Sequence, residues 1–257
     1  MTSYSEKQVA PLKTLAKGLE ILLAFSRNCP SLSSEKIAEQ IGVPRSTVYR
    51  YLQTLLAYSF LEHDHRPGHF RLGPSLLELA NSVKYGSTLT ERALPLMRWL
   101  RDKTGESVFL CVAHGSHAIC IERVESAQSI KFSFERGRRM PLHAGASAKA
   151  LLAFMDKQRR EGVLKWLESS MGKLRAGIDV NQLRAELSEI RQRGYAFTQE
   201  EVDPGAWALA VPVLKRDGDL LASLSIGGPV SRLPKNIEEL ATLLASCAKK
   251  IAIGVCQ

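Results

Sequence analysis

Between Leu12 and Ser26 apolar residues return mainly at three- and four-residue steps: Leu12, Leu15, Leu19, Leu22, Leu23 and Phe25. That period predicts a helix with one apolar face, ended by Asn28 and Pro30. Ser33 and Ser34 supply an N-cap for a short second helix reaching Ile41, with Glu35 favourable in its first turn. Gly42-Val43-Pro44 reads as a turn, and Pro44 stands near the start of a longer helix that runs to about Tyr58. Phe60-Leu61-Glu62 and Phe70-Arg71-Leu72 are short extended pieces around a polar, basic tip, the pattern of a hairpin. Helical periodicity returns over Ser75 to Val83, is interrupted at Tyr85-Gly86-Ser87, and resumes from Leu89 to Lys103.

The character changes at Ser107. Val108 to Val112 and Ala118 to Ile121 flank Gly115-Ser116, a second hairpin, and the alternation from Ile130 to Phe134 predicts a third strand. Helices follow over Ala144–Met155, about Gln158–Ser169, and Val180–Arg193, the last capped by Asp179 and stopped by Gly194. Tyr195–Thr198, Trp207–Leu214 and Leu220–Ile226 read as strands, and 236–253 as a closing amphipathic helix. Strands in groups with helices between and after them give an α+β class on a mostly antiparallel sheet. The division this suggests is a domain over 12–73, a helical linker over 74–104 and a second domain over 105–257.

Composition narrows the classes. The 257 residues are 45% hydrophobic and 24% charged, the balance of a globular chain. The longest uncharged apolar stretch, Ala206 to Leu214, is far short of the ~20 residues of a membrane span, and the first residues lack the apolar core of a secretory signal. Five cysteines at wide spacing, with no C-x-x-C, argue for reduced thiols and a cytoplasmic protein, without a disulfide framework or structural zinc. A net charge of +9 points to an anionic partner, nucleic acid first. It is spread, however: residues 1–72 hold nine Lys and Arg against six Asp and Glu.

The segment 33–56 carries the most chemistry. A helix-turn-helix needs a small residue in its first helix, a glycine in the turn and an aliphatic residue locking the second helix; Ala38, Gly42 and Val48 stand in that order, with Ile37, Leu52 and Leu55 completing the core. Arg45, Ser46, Thr47, Tyr49 and Arg50 are then left outward on the second helix, placed for base edges and phosphates in a major groove. Ser33 joins them at the start of the first. The helix before and the basic hairpin after make a three-helix winged domain, in which Arg66, His69 and Arg71 lie along the phosphate backbone.

Other signals weigh less. His63, His65 and His69 with Asp64 sit in a hairpin tip, with no cysteine and no rigid helix to fix a metal geometry. Ser33-x-x-Lys36 matches an acylase nucleophile by letters, but the serine is better explained as a helix cap. No G-x-S-x-G, P-loop, G-x-G-x-x-G or H-E-x-x-H occurs. Lys131, Arg136, Arg138 and Arg139 read as a solvated basic run.

Pro44-Arg45-Ser46-Thr47-Val48-Tyr49-Arg50-Tyr51-Leu52, followed by Phe60-Leu61-Glu62 and Phe70-Arg71-Leu72-Gly73, resembles the winged helix-turn-helix of the IclR family of bacterial transcription regulators. The likeness continues through Gly137-Arg138-Arg139-Met140-Pro141-Leu142-His143-Ala144 with Lys149–Ala153, through Gly194-Tyr195-Ala196 with Glu200-Glu201, and through Leu224-Ser225-Ile226 with Gly228-Pro229. It spans roughly residues 11–255. The resemblance implies a DNA-reading domain, a linker helix and a GAF-like α+β effector-binding domain. It also implies a homodimer or dimer of dimers, formed partly through the first helices and linkers, and a pocket for a small carboxylate or aromatic metabolite. Carried over residue by residue, the pocket has Phe132 and Met140 as apolar walls, Ala146 and Ser147 at a helix start, and Thr198, Ala208, Ser225 and Gly227 opposite. Thr198-Gln199 stands where the family often has an acidic pair, Ala208 where a cysteine can sit and Gly227 where a serine can. Those departures imply a roomier, more apolar pocket, favouring an aromatic or longer-chain acid. The expectation is a ligand-responsive regulator of a double-stranded DNA operator, without cofactor, metal, enzymatic activity or membrane association. The alternative is a small-molecule enzyme or sensor whose helix-turn-helix serves only assembly.

Overall fold

The computed structural model describes residues 12–26, 29–82, 87–132, 134–170 and 179–253. Contacts divide the chain into two units, residues 1–84 and 85–257. The expected helix end at Asn28, the interruption at 85–86 and Cys256 lie outside the described residues.

The first unit runs α1 (Lys13–Ala24), β1 (Ser31–Ser33), α2 (Ser34–Ile41), α3 (Arg45–Ala57), β2 (Leu61–His63), β3 (His69–Leu72) and α4 (Ser75–Ser82). Ile21, Phe25, Leu32, Ile37, Ile41, Val48, Leu52, Leu61 and Phe70 form its core. Gly42 closes α2 at φ +64°, a left-handed turn that an L side chain adopts only with strain. The hairpin β2–β3 gains a third strand that the sequence pattern does not reveal: β1 pairs antiparallel with β3, giving the order β1-β3-β2. Gly73 ends the hairpin, and a Cβ there would overlap the backbone of Ser59 at the end of α3. The apolar face expected on α1 divides. Ile21 and Phe25 enter the core, whereas Leu12, Leu15, Leu19 and Leu23 are exposed, as are Leu77 and Leu79 of α4.

The second unit holds α5 (Ser87–Thr104), β4 (Ser107–His114), β5 (His117–Val124), β6 (Arg139–Pro141), α6 (Ala146–Phe154), α7 (Lys157–Ser170), α8 (Val180–Arg193), β7 (Ala196–Gln199), β8 (Ala206–Leu214), β9 (Leu220–Pro229) and α9 (Ile237–Ile253). Its sheet is antiparallel throughout in the order β6-β5-β4-β9-β8-β7. The two-residue period sorts each strand between two cores. Val108, Leu110, Leu209, Val211, Leu224 and Ile226 face α5 and α9, meeting Met97, Leu100, Leu244 and Ile251. Phe109, Cys111, Cys120 and Ala210 face the other way, onto Leu151, Leu152, Leu187 and Ile190 of α6 and α8. The strand expected at Ile130–Phe134 is not formed: the described residues there are irregular, and the edge strand is β6. Phe132 and Phe134 instead alternate with the polar positions because both rings pack edge-on against Phe109, at 5.7 and 5.9 Å.

Candidate nucleic-acid interface and ligand cavity

On α3, Val48 and Leu52 are one helical turn apart and fully buried, which turns the opposite face outward. Arg45, Ser46, Tyr49 and Arg50 are exposed there, and Thr47 is half-buried. Arg45 forms an exposed ion pair with Glu35 of α2. The Glu35 carboxyl lies below its ordinary range, held there first by a backbone hydrogen bond, then by the Ser33 hydroxyl, with Arg45 adding to both. Ser33 is the N-cap of α2, its hydroxyl accepting from the Lys36 amide at 3.3 Å.

In the hairpin, Arg71 donates from Nε and Nη2 to one oxygen of Glu62, at 3.1 and 2.7 Å. Both side chains are substantially exposed, and such surface pairs are worth about 0–1 kcal/mol, so a phosphate can replace the carboxylate at small cost. Arg66 is exposed at the tip; His69 is half-buried with its ring Nδ1 3.2 Å from the Pro67 carbonyl. Asp64 accepts from the Ser31 hydroxyl and from the His65 amide, bonds that hold its carboxyl low and tie β1 to the tip. Among the described residues no group of three metal-ligating side chains occurs, the tip histidines included.

The second unit contains a cavity of about 470 Å³, open mouth included, between the sheet and the start of α6. Seven of the eight pocket residues expected from sequence line it: Phe132, Met140, Ala146, Ser147, Thr198, Ala208 and Ser225. Gly227 stands one step behind, where a Cβ would come within 3.1 Å of the Phe132 ring. Sequence reasoning missed Phe109, Phe134 and the loop Glu201-Val202-Asp203, all of which also line the cavity. The Ala146 amide donates to Thr198 Oγ1 at 3.2 Å, and Ser147 Oγ to Ser225 Oγ at 2.7 Å. The Lys149 amide bonds Gly145 O as the first bond of α6, and the helix start meets the cavity through Gly145, Ala146 and Ser147, where a helix favours an anion.

Charge around the cavity is one-sided. Among the described residues its lining includes the carboxylates of Glu201 and Asp203 and no Lys, Arg or His. Lys149, with a side chain 8% exposed, holds Glu186 and Glu201, each at 2.8 Å. Asp203 Oδ1 lies 3.8 Å from Arg138, whose guanidinium sits over the Phe134 ring at 5.1 Å. Asp203 Oδ2 is buried without a hydrogen-bond partner, as is His143 Nδ1. Burial pushes the His143 pKa down, against the opposing pull of Glu201. Cys111 and Cys120 face each other across β4 and β5; contact with Cys120 and burial raise the Cys111 thiol, keeping it protonated and poorly nucleophilic.

Comparison with known proteins bears on both regions. The family model described as "Bacterial transcriptional regulator IclR C-terminal" matches residues 83–253, and "IclR helix-turn-helix domain" matches residues 14–65. The Pca operon regulatory protein of Acinetobacter baylyi is 30% identical over 92% of this chain and 87% of its own length. The transcriptional repressor IclR of Escherichia coli is 26% identical over 95% of this chain and 90% of its own. A crystal structure of an IclR homologue from Microbacterium hydrocarbonoxydans, complexed with 4-hydroxybenzoate, superposes with a TM-score of 0.75 at 25% identity, covering 94% of this chain and 98% of that one. These relatives are named as regulators and repressors, not enzymes. No helix among the described residues is long and apolar enough to cross a membrane.

Proposed function

The chain belongs to the IclR family of transcriptional regulators, a DNA-binding helix-turn-helix joined to an effector-binding domain, and from that premise we propose how this member works. Arg45, Ser46, Thr47, Tyr49 and Arg50 of α3 enter the major groove, and Arg66, His69 and Arg71 contact phosphates. Ser33 serves this face indirectly, by capping α2 beneath it. The protein binds as a homodimer to an operator with two half-sites, since one winged domain reads only a few base pairs. Support for self-association comes from α1, whose exposed Leu12, Leu15, Leu19 and Leu23 form an apolar stripe of the kind that marks an interaction surface.

The effector is a carboxylate, held at the start of α6 beside Ala146 and Ser147 and by the hydroxyls of Ser147, Thr198 and Ser225. Its apolar body rests against Phe109, Phe132, Phe134 and Met140. The observation that carries this reading is the coincidence of a helix N-terminus and three hydroxyls with the rings of Phe109, Phe132 and Phe134 in one concave site. The neighbour that binds 4-hydroxybenzoate supports the same ligand class. Operator affinity shifts because the effector binds one conformation better than the other; equal affinity would shift nothing.

The test is operator affinity and footprint for the intact chain, with and without 4-hydroxybenzoate and related benzoates. Protection of two half-sites and a ligand effect of roughly 5–150-fold are expected, and Ser147→Trp, which fills the cavity, should abolish the ligand effect alone. A single protected half-site overturns the dimer, and a Ser147→Trp protein that responds like its parent overturns the cavity.

A further inference from the structure

A second, larger hollow opens at the other end of α6 from the cavity. It holds about 1280 Å³, open mouth included, between the end of α6, the start of α7, α8 and the turn joining β8 to β9. Three arginines line it, and each donates to main-chain carbonyls. Arg159 bonds Ala113 O at 3.2 Å, Arg160 bonds Ala153 O and Met155 O at 3.4 and 3.3 Å, and Arg191 bonds Ala153 O at 2.8 Å. Elsewhere in the unit Arg123, Arg184 and Arg232 lie against carboxylates. The carboxylates of the hollow are engaged within their own turns: Asp156 accepts from the Arg159 amide at 2.8 Å, Asp217 from the Asp219 amide at 3.0 Å, and Asp219 lies 3.6 Å from Lys215. Arg160 acts on Glu161, but Arg184 already bonds that carboxylate at 2.6 Å.

The start of α7 adds to this excess of positive charge. A helix N-terminus carries a partial positive charge and favours acids in its first turn. α7 has no acidic residue in that turn and begins Lys157-Gln158-Arg159-Arg160 instead. Each guanidinium has five N–H donors, more than the carbonyls occupy.

We infer that this hollow is a second ligand site of the effector-binding domain, and that it takes a phosphate-bearing small molecule, read through its phosphate or diphosphate group. Guanidinium forks match phosphate oxygens in pairs, and the start of α7 adds its dipole to theirs. The hollow shares no lining residue with the cavity at the start of α6, so the inference is independent of the ligand proposed there.

The experiment is calorimetric titration of the full chain with pyrophosphate, inorganic phosphate, sulfate and hexaglutamate at fixed ionic strength. Pyrophosphate should saturate and bind at least about tenfold more tightly than sulfate. Arg159→Gln should weaken it about tenfold, the lower end of a hydrogen bond to a charged group, and Arg159→Gln with Arg191→Gln should abolish it. Arg159 is exposed and bonds Ala113 O rather than the end of α6, so the single variant decides the matter if the double variant does not fold. Two further proteins locate the anion. Ser147→Trp, which fills the cavity, and a combined Arg45→Ala, Arg50→Ala and Arg71→Ala protein should both bind pyrophosphate within about twofold of the parent. Loss in the first would place the anion in the cavity, and loss in the second on the helix-turn-helix; either overturns the inference. Equal affinity for sulfate and pyrophosphate overturns it, as does pyrophosphate binding unchanged by Arg159→Gln. Binding of hexaglutamate without binding of pyrophosphate identifies a surface for an acidic peptide and overturns it too.

Discussion

On the function proposed above, the two units solve recognition in opposite ways. The first presents its chemistry on the outside of a core of nine buried side chains, with arginines resting against surface carboxylates. The second turns its chemistry inward, into a hollow walled in part by Phe109, Phe134, Met140 and Ala146 of the buried cluster that packs α6 and α8 on the sheet. In one, the working side chains are separable from the packing. In the other, several of them are part of it, Phe109, Phe134 and Met140 among them.

The strongest way to break that contrast is to attack the smaller core. Leu52→Ala removes a fully buried side chain at the crossing of α2 and α3 and should cost about 2–5 kcal/mol. Calorimetry is expected to show an early transition for the first unit and an unchanged one for the second; a uniform shift of a single transition contradicts their independence. Next in size are the outward arginines. Arg45→Ala and Arg50→Ala should each weaken specific operator binding by about 1–3 kcal/mol in mobility-shift titrations, with no change in melting temperature. Arg71→Ala should instead weaken all DNA alike and lower the salt slope. Equal losses on operator and random DNA for the first two contradict the assignment of α3 to the groove. The smallest effect is expected at Ser33→Ala, about 1 kcal/mol of stability through loss of the α2 cap. A drop in operator affinity with stability unchanged would return Ser33 to direct contact.

The same contrast decides what the sequence reveals. In the first unit the local signals agree: the Ala38, Gly42 and Val48 spacing, the Ser33 cap and Pro44 together mark α2 and α3 nearly to the residue. What they do not mark is β1, three residues long, whose strand character comes only from pairing with β3 almost forty positions away. Nor does periodicity separate an inward apolar face from an outward one, as Leu12, Leu15, Leu19 and Leu23 demonstrate. In the second unit Asp179 and Gly194 bound α8 as read, and seven cavity residues follow from the family resemblance. The alternation at Ile130–Phe134 misleads because rings packed from a loop onto Phe109 mimic a strand. Glu201, Val202 and Asp203 reach the cavity from the loop between β7 and β8, a placement that no local sequence signal marks.

The contact between Gly73 and Ser59 has a consequence in genetics. A side chain at position 73 meets main chain, which cannot swing aside as a neighbouring rotamer does. Every missense codon there should therefore inactivate, the conservative Ala codon included, whereas the alleles of Arg45 or Arg50 should form a graded series ordered by the residue introduced. A saturation screen scored only for loss of regulation would thus recover position 73 as an all-or-none locus at the foot of the wing, although it touches neither DNA nor effector.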